Sequence, residues 1–289
     1  MDSMSRHALI WGSMIAFVLI MLSGSIFAAA APTIETCRNS TSVPLGTPIK
    51  NWEVPYIHQC NDTPNNFNGR YACGATSAVM ILAKYSAISP KSTTCNTPCS
   101  SGGCSYGWYV SNEYTSPLTG ITFYWQTDDV LGNHARGAYG YISDSSGAAY
   151  AGLMVDFFNK NGLQALPYIS APTENDIKSE LDAGYPVVAS TKLTDNGHIV
   201  VIKGYTSDGY YIVNDPFGKR RSDGKYETYG NCNGADVQYT WSEMGIAQKW
   251  IVKVRPPQSS VTLTLYVHDG STSGPVISGA TVAGTDAAG

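Results

Sequence analysis

Apolar positions along the chain follow a helical period in three segments. Residues 74–85 are apolar on most sides of a helix, which predicts a buried helix. Residues 149–161 have one apolar face and are followed by Gly162, a pattern typical of an amphipathic helix and its end. Residues 173–183 begin with a Thr-Glu-Asn-Asp run typical of a capping box, and Gly184 ends the short helix that they predict.

Other segments are rich in β-branched and aromatic residues and predict strands. The clearest are residues 185–190, 199–205, 210–213 and 249–254. A short strand with an edge proline is predicted at 52–59. An Asp-Gly pair separates the second and third of the clearest strands and favours a hairpin there. The later part of the chain is therefore predicted to carry a sheet.

The segments outside these elements predict the domain boundaries. Residues 31–50 are polar and predict an N-terminal arm, followed by a globular domain over 51–255. Within it, residues 86–148 have weak periodicity and predict an irregular, disulfide-tied excursion that could line a cleft. Residues 256–260 have the composition of a linker. Residues 261–289 are too few for an independent domain, so they are either a truncated β-domain or a tail.

The N-terminus has the pattern of a secretory signal peptide over residues 1–30. Arg6 precedes an apolar run at 8–22, and the small residues Ala28 and Ala30 fit a cleavage site. The alternative is an uncleaved membrane anchor, but glycine and serine residues interrupt the apolar run and favour cleavage. We therefore expect a secreted or extracytoplasmic protein, with membrane anchoring as the alternative.

Composition narrows the class of function. Apolar residues make up 43% of the chain and 19 residues are tyrosine, which favours a packed globular protein over a disordered one. Charged residues make up only 14%, the net charge is −4 and no basic patch is present, so nucleic-acid binding is not expected. Phosphate-binding and calcium-binding loops are absent, and no cofactor is expected.

The cysteine count fits export. In an oxidising compartment an odd number leaves at least one thiol unpaired or paired between chains. If Cys73 is the unpaired one, the other six allow up to three disulfides, and we expect at least one within 95–104. A zinc site there is disfavoured, because the spacing matches no Cys-x-x-Cys pattern and no histidine is near. The seven are Cys37, Cys60, Cys73, Cys95, Cys99, Cys104 and Cys232.

Cys73, His198 and Asp215 are candidates for a cysteine-nucleophile site. Cys73 precedes a predicted helix, whose N-terminus carries partial positive charge that stabilises a thiolate. An adjacent imidazole with an orienting carboxylate completes such a site. Taken alone, Cys73 could equally be a disulfide or core cysteine, and Asp215 could serve only the turn that its Asn-Asp-Pro context favours.

His198 is better placed than its competitors because its strand pairs with the strand that leads to Asp215. The competitors are His58, His134 and His268. Contact between His198 and Asp215 depends on the hairpin register. A two-residue turn at 208–209 would separate the two residues, whereas a bulge or a longer loop would restore contact.

Taken together, five segments resemble the bacteriocin-leader-processing cysteine peptidases and their exported relatives, the family called peptidase C thirty-nine-like. The segments are 54–59, 72–82, 185–188, 197–205 and 211–216, in the same order as in the family. The resemblance covers roughly residues 51–255. It implies a papain-like α+β fold, in which the helix carrying the cysteine packs against an antiparallel sheet.

The resemblance also implies a role for each site residue. Cys73 would be the nucleophile, His198 the base and acid, and Asp215 the group that orients His198. Gln59 would help to form the oxyanion hole with the backbone N–H of the nucleophile, a role that sequence spacing alone does not single out. The cysteine-rich stretch after Lys84 does not match the family.

The leading hypothesis is an exported cysteine peptidase that hydrolyses peptide or isopeptide bonds through a thioester acyl-enzyme. Its partner would be a peptide or protein substrate, and association with the cell surface stays open. One alternative is transglutaminase-like transfer of the acyl group to an amine, or hydrolysis of cell-wall amides, because water and amines accept from the same intermediate. Another is a catalytically silent surface-binding module, which would need no Cys, His, Asp and Gln in this arrangement.

Overall fold

The computed structural model describes residues 46–64, 66–91, 105–123, 129–133, 136–220, 226 and 234–257. The predicted signal peptide, most of the predicted arm, the C-terminal segment and five of the seven cysteines lie outside these residues. Among the described residues, no helix has the length and apolar character needed to cross a membrane.

An antiparallel sheet of eight strands organises the fold, in the order β4-β10-β6-β7-β8-β9, with β1 paired to β7 and β5 paired to β10. A separate two-stranded hairpin is formed by β2 and β3. The strands are β1 (Pro48–Asn51), β2 (Tyr114–Thr115), β3 (Thr122–Phe123), β4 (Gln164–Ala165), β5 (Ile169–Ser170), β6 (Val187–Thr191), β7 (His198–Thr206), β8 (Tyr210–Asn214), β9 (Val237–Thr240) and β10 (Trp250–Arg255).

Helices cover both faces of this sheet. They are α1 (Cys73–Lys84), α2 (Gly107–Ser111), α3 (Gly137–Ile142), α4 (Ala151–Lys160), α5 (Glu174–Asp182) and α6 (Trp241–Met244), with short 3₁₀ turns at Gly69–Tyr71 and Ile246–Gln248. Along β7, Val201 packs in the cluster that contains α1, and its neighbour Val200 packs in the cluster that contains α5. Such alternation buries successive side chains on opposite faces, so nearly every side chain of the central strands is buried.

The predicted α+β class is confirmed, and so are its main elements. The helix predicted at 74–85 is α1, and every residue from Gly74 to Ala83 is buried. The helix predicted at 149–161 is α4, and Gly162 follows it with a positive φ of 83°. The helix predicted at 173–183 is α5, whose capping box joins Thr173 and Asp176. The four clearest predicted strands correspond to β6, β7, β8 and β10.

The strand predicted at 52–59 is wrong. The strand lies earlier, at Pro48–Asn51, and begins within the predicted arm. The chain leaves the ladder after the backbone N–H of Trp52 donates to the carbonyl of Lys203. The following backbone is held by other groups: the Val54 carbonyl accepts from the Asn214 side chain at 3.0 Å. Pro55 lacks an N–H and cannot continue a ladder.

Residues 86–148 are more regular than predicted. Their described part contains the helices α2 and α3 and the β2–β3 hairpin. Each element is only one or two turns of helix or two residues of strand, which is too short for a periodic pattern to develop. Strand β9 and helix α6 were not predicted, although the Thr-Trp-Ser-Glu run at 240–243 has the capping-box pattern that opens α6.

The β7–β8 hairpin determines whether His198 and Asp215 can meet. Strand β7 ends at Thr206 and β8 begins at Tyr210, which leaves a loop of three residues and not two. Gly209 ends that loop with a φ of +90°. A three-residue loop with glycine in this conformation is a common hairpin connection, and the Asp-Gly pair fits it as well as it fits the two-residue turn.

A bulge around Lys203 then shifts the register by one residue, so that Val201 pairs with Asn214. One further step along both strands places Asp215 opposite the residue two positions after His198. Side chains in this diagonal arrangement remain within reach of one another. The bulge and the longer loop therefore bring the two residues together.

Candidate active site

Cys73 is the first residue of α1 and carries a free, partly exposed thiol. The residue before it, Ala72, offers no side-chain hydrogen bond to the first turn of the helix. The unoccupied N–H groups and the helix dipole therefore act on whatever negative charge forms at this end. Ser77 on the next turn donates to the carbonyl of Ile199 at 3.1 Å and holds α1 against β7 beside His198.

His198 lies between Cys73 and Asp215. Its Nε2 is 2.7 Å from Oδ1 of Asp215, and its ring lies close enough to the Cys73 thiol for the two groups to interact electrostatically. Because Asp215 occupies Nε2, the nitrogen that faces Cys73 is Nδ1. His198 is 4% exposed and Asp215 is fully buried. The three predicted residues are thus arranged in series, from a partly exposed sulfur to a buried carboxylate.

The surroundings of His198 favour its charged form. Burial alone lowers the pKa of this ring, but the charge and hydrogen bond of Asp215, together with Cys73, raise the pKa to about 10. An imidazole with such a pKa remains an imidazolium at neutral pH, which is the partner that a thiolate requires. The arrangement can therefore hold a nucleophilic thiolate beside a proton donor.

Asp215 is held by several hydrogen bonds that the sequence did not indicate. Its Oδ1 also accepts from the N–H of Phe217 at 2.9 Å. Its Oδ2 accepts from Tyr226 at 3.1 Å and from Tyr239 at 3.0 Å. Tyr56 donates to its backbone carbonyl at 3.0 Å. These tyrosines are distant in sequence, and nothing in their local context distinguishes them from the other tyrosines of the chain.

Gln59 is buried beside the turn that leads to Cys73. Its Nε2 donates to the backbone carbonyls of Gly69 at 2.9 Å and Arg70 at 3.0 Å, while its Oε1 has no partner among the described residues. Both amide hydrogens are thus used in holding the Gly69–Tyr71 turn. Gln59 can donate to an oxyanion only if its amide first breaks one of these two hydrogen bonds. The sequence did not indicate this requirement.

His58 does not compete with His198. It is 3% exposed, and its Nδ1 accepts the backbone N–H groups of Cys60 and Asn61 at 3.1 and 3.2 Å. Burial lowers the pKa of His58 to about 4, so this ring is neutral. The two hydrogen bonds accepted by His58 stabilise the turn at Cys60 and Asn61. The other two competitors, His134 and His268, lie outside the described residues.

The sequence allowed up to three disulfides among the six cysteines other than Cys73, but Cys60 takes part in none. Both cysteines within the described residues, Cys60 and Cys73, are free thiols. Burial, followed by the charge of Cys73, raises the pKa of Cys60 to about 12, so Cys60 is an unreactive thiol. The predicted disulfide within 95–104 lies outside the described residues, and the described part of the chain contains no cluster of potential metal ligands.

The sequence of the domain matches a known family. The profile of the Peptidase_C39 like family matches residues 52–248, which include all four predicted site residues. The chain belongs to this peptidase family. Membership agrees with a thiol at the start of a helix packed on an antiparallel sheet, and the papain-like α+β fold implied by the resemblance is confirmed.

Two solved structures are similar to this chain. One is a double-glycine-motif protease from an AMS/PCAT transporter in complex with the leader peptide, with 17% identity, a TM-score of 0.36, and coverage of 73% of this chain and 97% of the other. The second is a peptidase of the same family from Bacillus anthracis, with 16% identity, a TM-score of 0.38, and coverage of 72% and 99%. No curated protein matches the chain.

Proposed function

We propose that this chain is an exported cysteine peptidase that hydrolyses peptide or isopeptide bonds through Cys73, His198 and Asp215. The observation that carries the proposal is the position of His198 between Asp215, which its Nε2 contacts at 2.7 Å, and the Cys73 thiol, with which its ring interacts. The position of Cys73 at the uncapped start of α1 also supports the proposal. So does membership in a family named for peptidases.

Acylation begins with the Cys73 thiolate and the His198 imidazolium. The thiolate sulfur attacks the carbonyl carbon of the scissile bond, and the carbonyl oxygen becomes an oxyanion. When the intermediate collapses, His198 gives its proton to the departing amine, so the amide bond breaks and a thioester forms on Cys73. Asp215 keeps the ring oriented and stabilises its positive charge throughout.

The oxyanion requires donors that point to the space beside Cys73. The backbone N–H of Cys73 is one candidate, because it lies in the uncapped first turn of α1. Gln59 is the second, if its amide exchanges a carbonyl of the preceding turn for the oxyanion. Deacylation follows the reverse logic: His198 takes a proton from water, the hydroxide attacks the thioester, and the acid product leaves with the thiolate restored.

Export is a separate part of the proposal and rests on residues 1–30 of the sequence. The test is expression in a bacterial host with the natural N-terminus, followed by N-terminal sequencing of the protein outside the cytoplasm. A mature chain that starts at Ala31 supports the proposal. Protein retained in the cytoplasm with an intact N-terminus contradicts export and leaves the catalytic proposal unaffected.

The test of the catalytic proposal compares the parent protein with Cys73→Ala and His198→Ala on a mixed peptide library. We expect new peptide termini with the parent and none with either variant. Cys60→Ala is the matched control, because it removes the other described thiol, and it should keep the parental cleavage pattern. Cleavage that persists in Cys73→Ala overturns the assignment.

The same experiment separates the alternatives. Adding a primary amine to the parent reaction should not divert the product, whereas a transferase would form a new amide with it. A parent protein that cleaves nothing and does not label selectively at Cys73 with iodoacetamide would be a silent binding module.

A further inference from the structure

The two oxygens of Asp215 have different roles in the structure. Oδ1 is directed to His198 and also accepts the N–H of Phe217. Oδ2 points away from His198 and accepts only from tyrosine hydroxyls among the described contacts, those of Tyr226 and Tyr239. A carboxylate held at both oxygens cannot rotate about its side-chain bonds without breaking several hydrogen bonds. The tyrosines are therefore in a position to control the orientation of Oδ1.

Tyr239 is the better anchored of the two. It lies on β9 with 4% of its surface exposed, and its hydroxyl oxygen accepts the backbone N–H of Arg220 at 3.0 Å. Because this oxygen accepts from Arg220, its hydrogen is directed to Asp215. The result is a relay of hydrogen bonds in which each donor polarises the next.

Tyr226 adds a contact with the imidazole itself. Its ring centroid lies 5.6 Å from that of His198, at an angle of 69°, and 5.0 Å from that of Phe217. Phe217 also contacts the His198 ring, at 6.3 Å. The edge contacts of two aromatic rings limit rotation of the imidazole, while the Tyr226 hydroxyl holds the carboxylate behind it.

Both tyrosines remain proton donors under all working conditions. Burial first, and then the charge of Asp215, raises the pKa values of Tyr226 and Tyr239 far above the neutral range. The titratable groups that interact with Asp215 or His198 are Tyr56, His58, Cys73, Tyr226 and Tyr239. His58 is neutral at working pH and the tyrosines do not ionise, so the thiol and the imidazole are the groups whose titration an experiment would follow.

We propose that Tyr226 and Tyr239 are positioning residues of the site: their hydroxyls fix Oδ2 of Asp215 and so direct Oδ1 at Nε2 of His198. This inference rests on the proposed function, because it gives the two hydroxyls a role in the same reaction. They do not touch the reacting atoms. Their effect passes through Asp215 to the imidazolium, and from there to the thiolate of Cys73.

The experiment uses Tyr226→Phe, Tyr239→Phe and the double variant, which remove the hydroxyls and keep the rings. Tyr211→Phe is the matched control, since Tyr211 is also buried and donates to a carboxylate, that of Glu174 at 2.8 Å, away from the site. Two quantities are measured: kcat and KM on a peptide substrate, and the ratio of Cys73 alkylation rates by iodoacetamide at about pH 6 and about pH 9, below and above the range where an ordinary thiol ionises.

For each single variant we expect a fall in kcat of roughly 5- to 10-fold with little change in KM, because substrate binding is untouched. The double variant should lose roughly 50-fold or more. The alkylation ratio should fall in the same order, because a misdirected carboxylate supports the imidazolium less well. Tyr211→Phe should match the parent in both measurements, which separates positioning from a general loss of stability.

Parental kcat and an unchanged alkylation ratio in the double variant overturn the inference. So does an equal loss in Tyr211→Phe. Failure of the proposed function gives a different result: the parent hydrolyses no peptide, while the alkylation ratio still reports whether the hydroxyls support the thiolate. If Cys73 of the parent alkylates as an ordinary thiol, with almost no reaction at about pH 6, there is no ion pair to position and the inference also fails.

Discussion

Asp215→Asn separates the charge of the carboxylate from its hydrogen bonds. The amide has the same shape, and its oxygen can replace Oδ1 toward His198 and the N–H of Phe217. Its NH₂ group then faces the hydroxyls of Tyr226 and Tyr239, which can accept as well as donate. The variant should therefore fold and keep the geometry of the site, with the negative charge removed.

The size of the effect follows from the pKa of His198. The surroundings raise it from the ordinary value of 6.5 to about 10. Because each tenfold change in acidity corresponds to about 1.4 kcal/mol, the anions stabilise the charged ring by about 5 kcal/mol beyond the amount that offsets its burial. Asp215 and Cys73 share this stabilisation. Removing the charge of Asp215 should therefore cost on the order of 2 kcal/mol, which corresponds to a fall in kcat/KM of roughly 30-fold.

The pH dependence should change in a defined direction. The imidazolium is present below the pKa of His198 and is lost as the pH rises through it, so a lower pKa moves the alkaline limb of hydrolysis to lower pH. Alkylation of Cys73 should move the opposite way, with its onset at higher pH, because the thiolate has lost part of its support. The assay is kcat/KM and iodoacetamide alkylation of the parent and the variant across the pH range.

The reasoning is refuted if Asp215→Asn hydrolyses within about twofold of the parent and both pH profiles stay in place, because the charge would then contribute nothing. Asp215→Ala is a less informative variant. It removes the acceptor of four buried or partly buried hydrogen bonds. At about 1–3 kcal/mol each, their cost approaches the whole stability of a domain, about 5–15 kcal/mol, so Asp215→Ala should fold poorly.

Three further predictions follow from the contacts around the site. Gln59→Ala should lower the rate of acylation by roughly 100-fold, whereas alkylation of Cys73 should change little; equal losses in both would show that Gln59 serves only the preceding turn. Cys60 should resist iodoacetamide until the protein is unfolded, as its buried thiol has a pKa of about 12, and peptide mapping of labelled native protein tests this. Lys203→Met should lower the free energy of unfolding by about 1–2 kcal/mol, because the Lys203 ammonium binds Asp236 at 2.6 Å and Asn51 at 2.8 Å; denaturant unfolding of the variant measures the loss.

The sequence predicted the elements that have a clear apolar pattern over several residues. The helix that carries Cys73 is buried from Gly74 to Ala83, and the strands β6, β7, β8 and β10 each contribute several apolar residues to the core. The pairing of His198 with Asp215 was less predictable. It depends on a bulge at Lys203 and on a three-residue loop, and neither has a unique pattern in the sequence.

The errors and omissions have one physical origin, which is contact between residues distant in the chain. The backbone of 52–59 is held by Asn214, Pro216 and other distant groups, so its strand-like composition did not make it a strand. Tyr239 reaches Asp215 because β9 pairs with β8, and Tyr226 lies 11 positions along the chain from Asp215. No local sequence pattern predicts such a contact.

The alanine that precedes Cys73 has a consequence for protein engineering. Helix propensities alone favour a serine or aspartate at Ala72 as a cap for α1, worth about 1 kcal/mol in a typical helix, although Ala72 is fully buried and its φ of −86° and ψ of 14° lie outside the extended region usual for a capping residue. Its oxygen would, however, take the N–H groups of Gly74 or Ala75, the groups that an uncapped helix leaves free for the thiolate and the oxyanion. A thermostabilised version designed from helix propensities alone would place a cap here first. Ala72 is thus a position where improving the scaffold and preserving the chemistry conflict, and it should be kept constant in any such design.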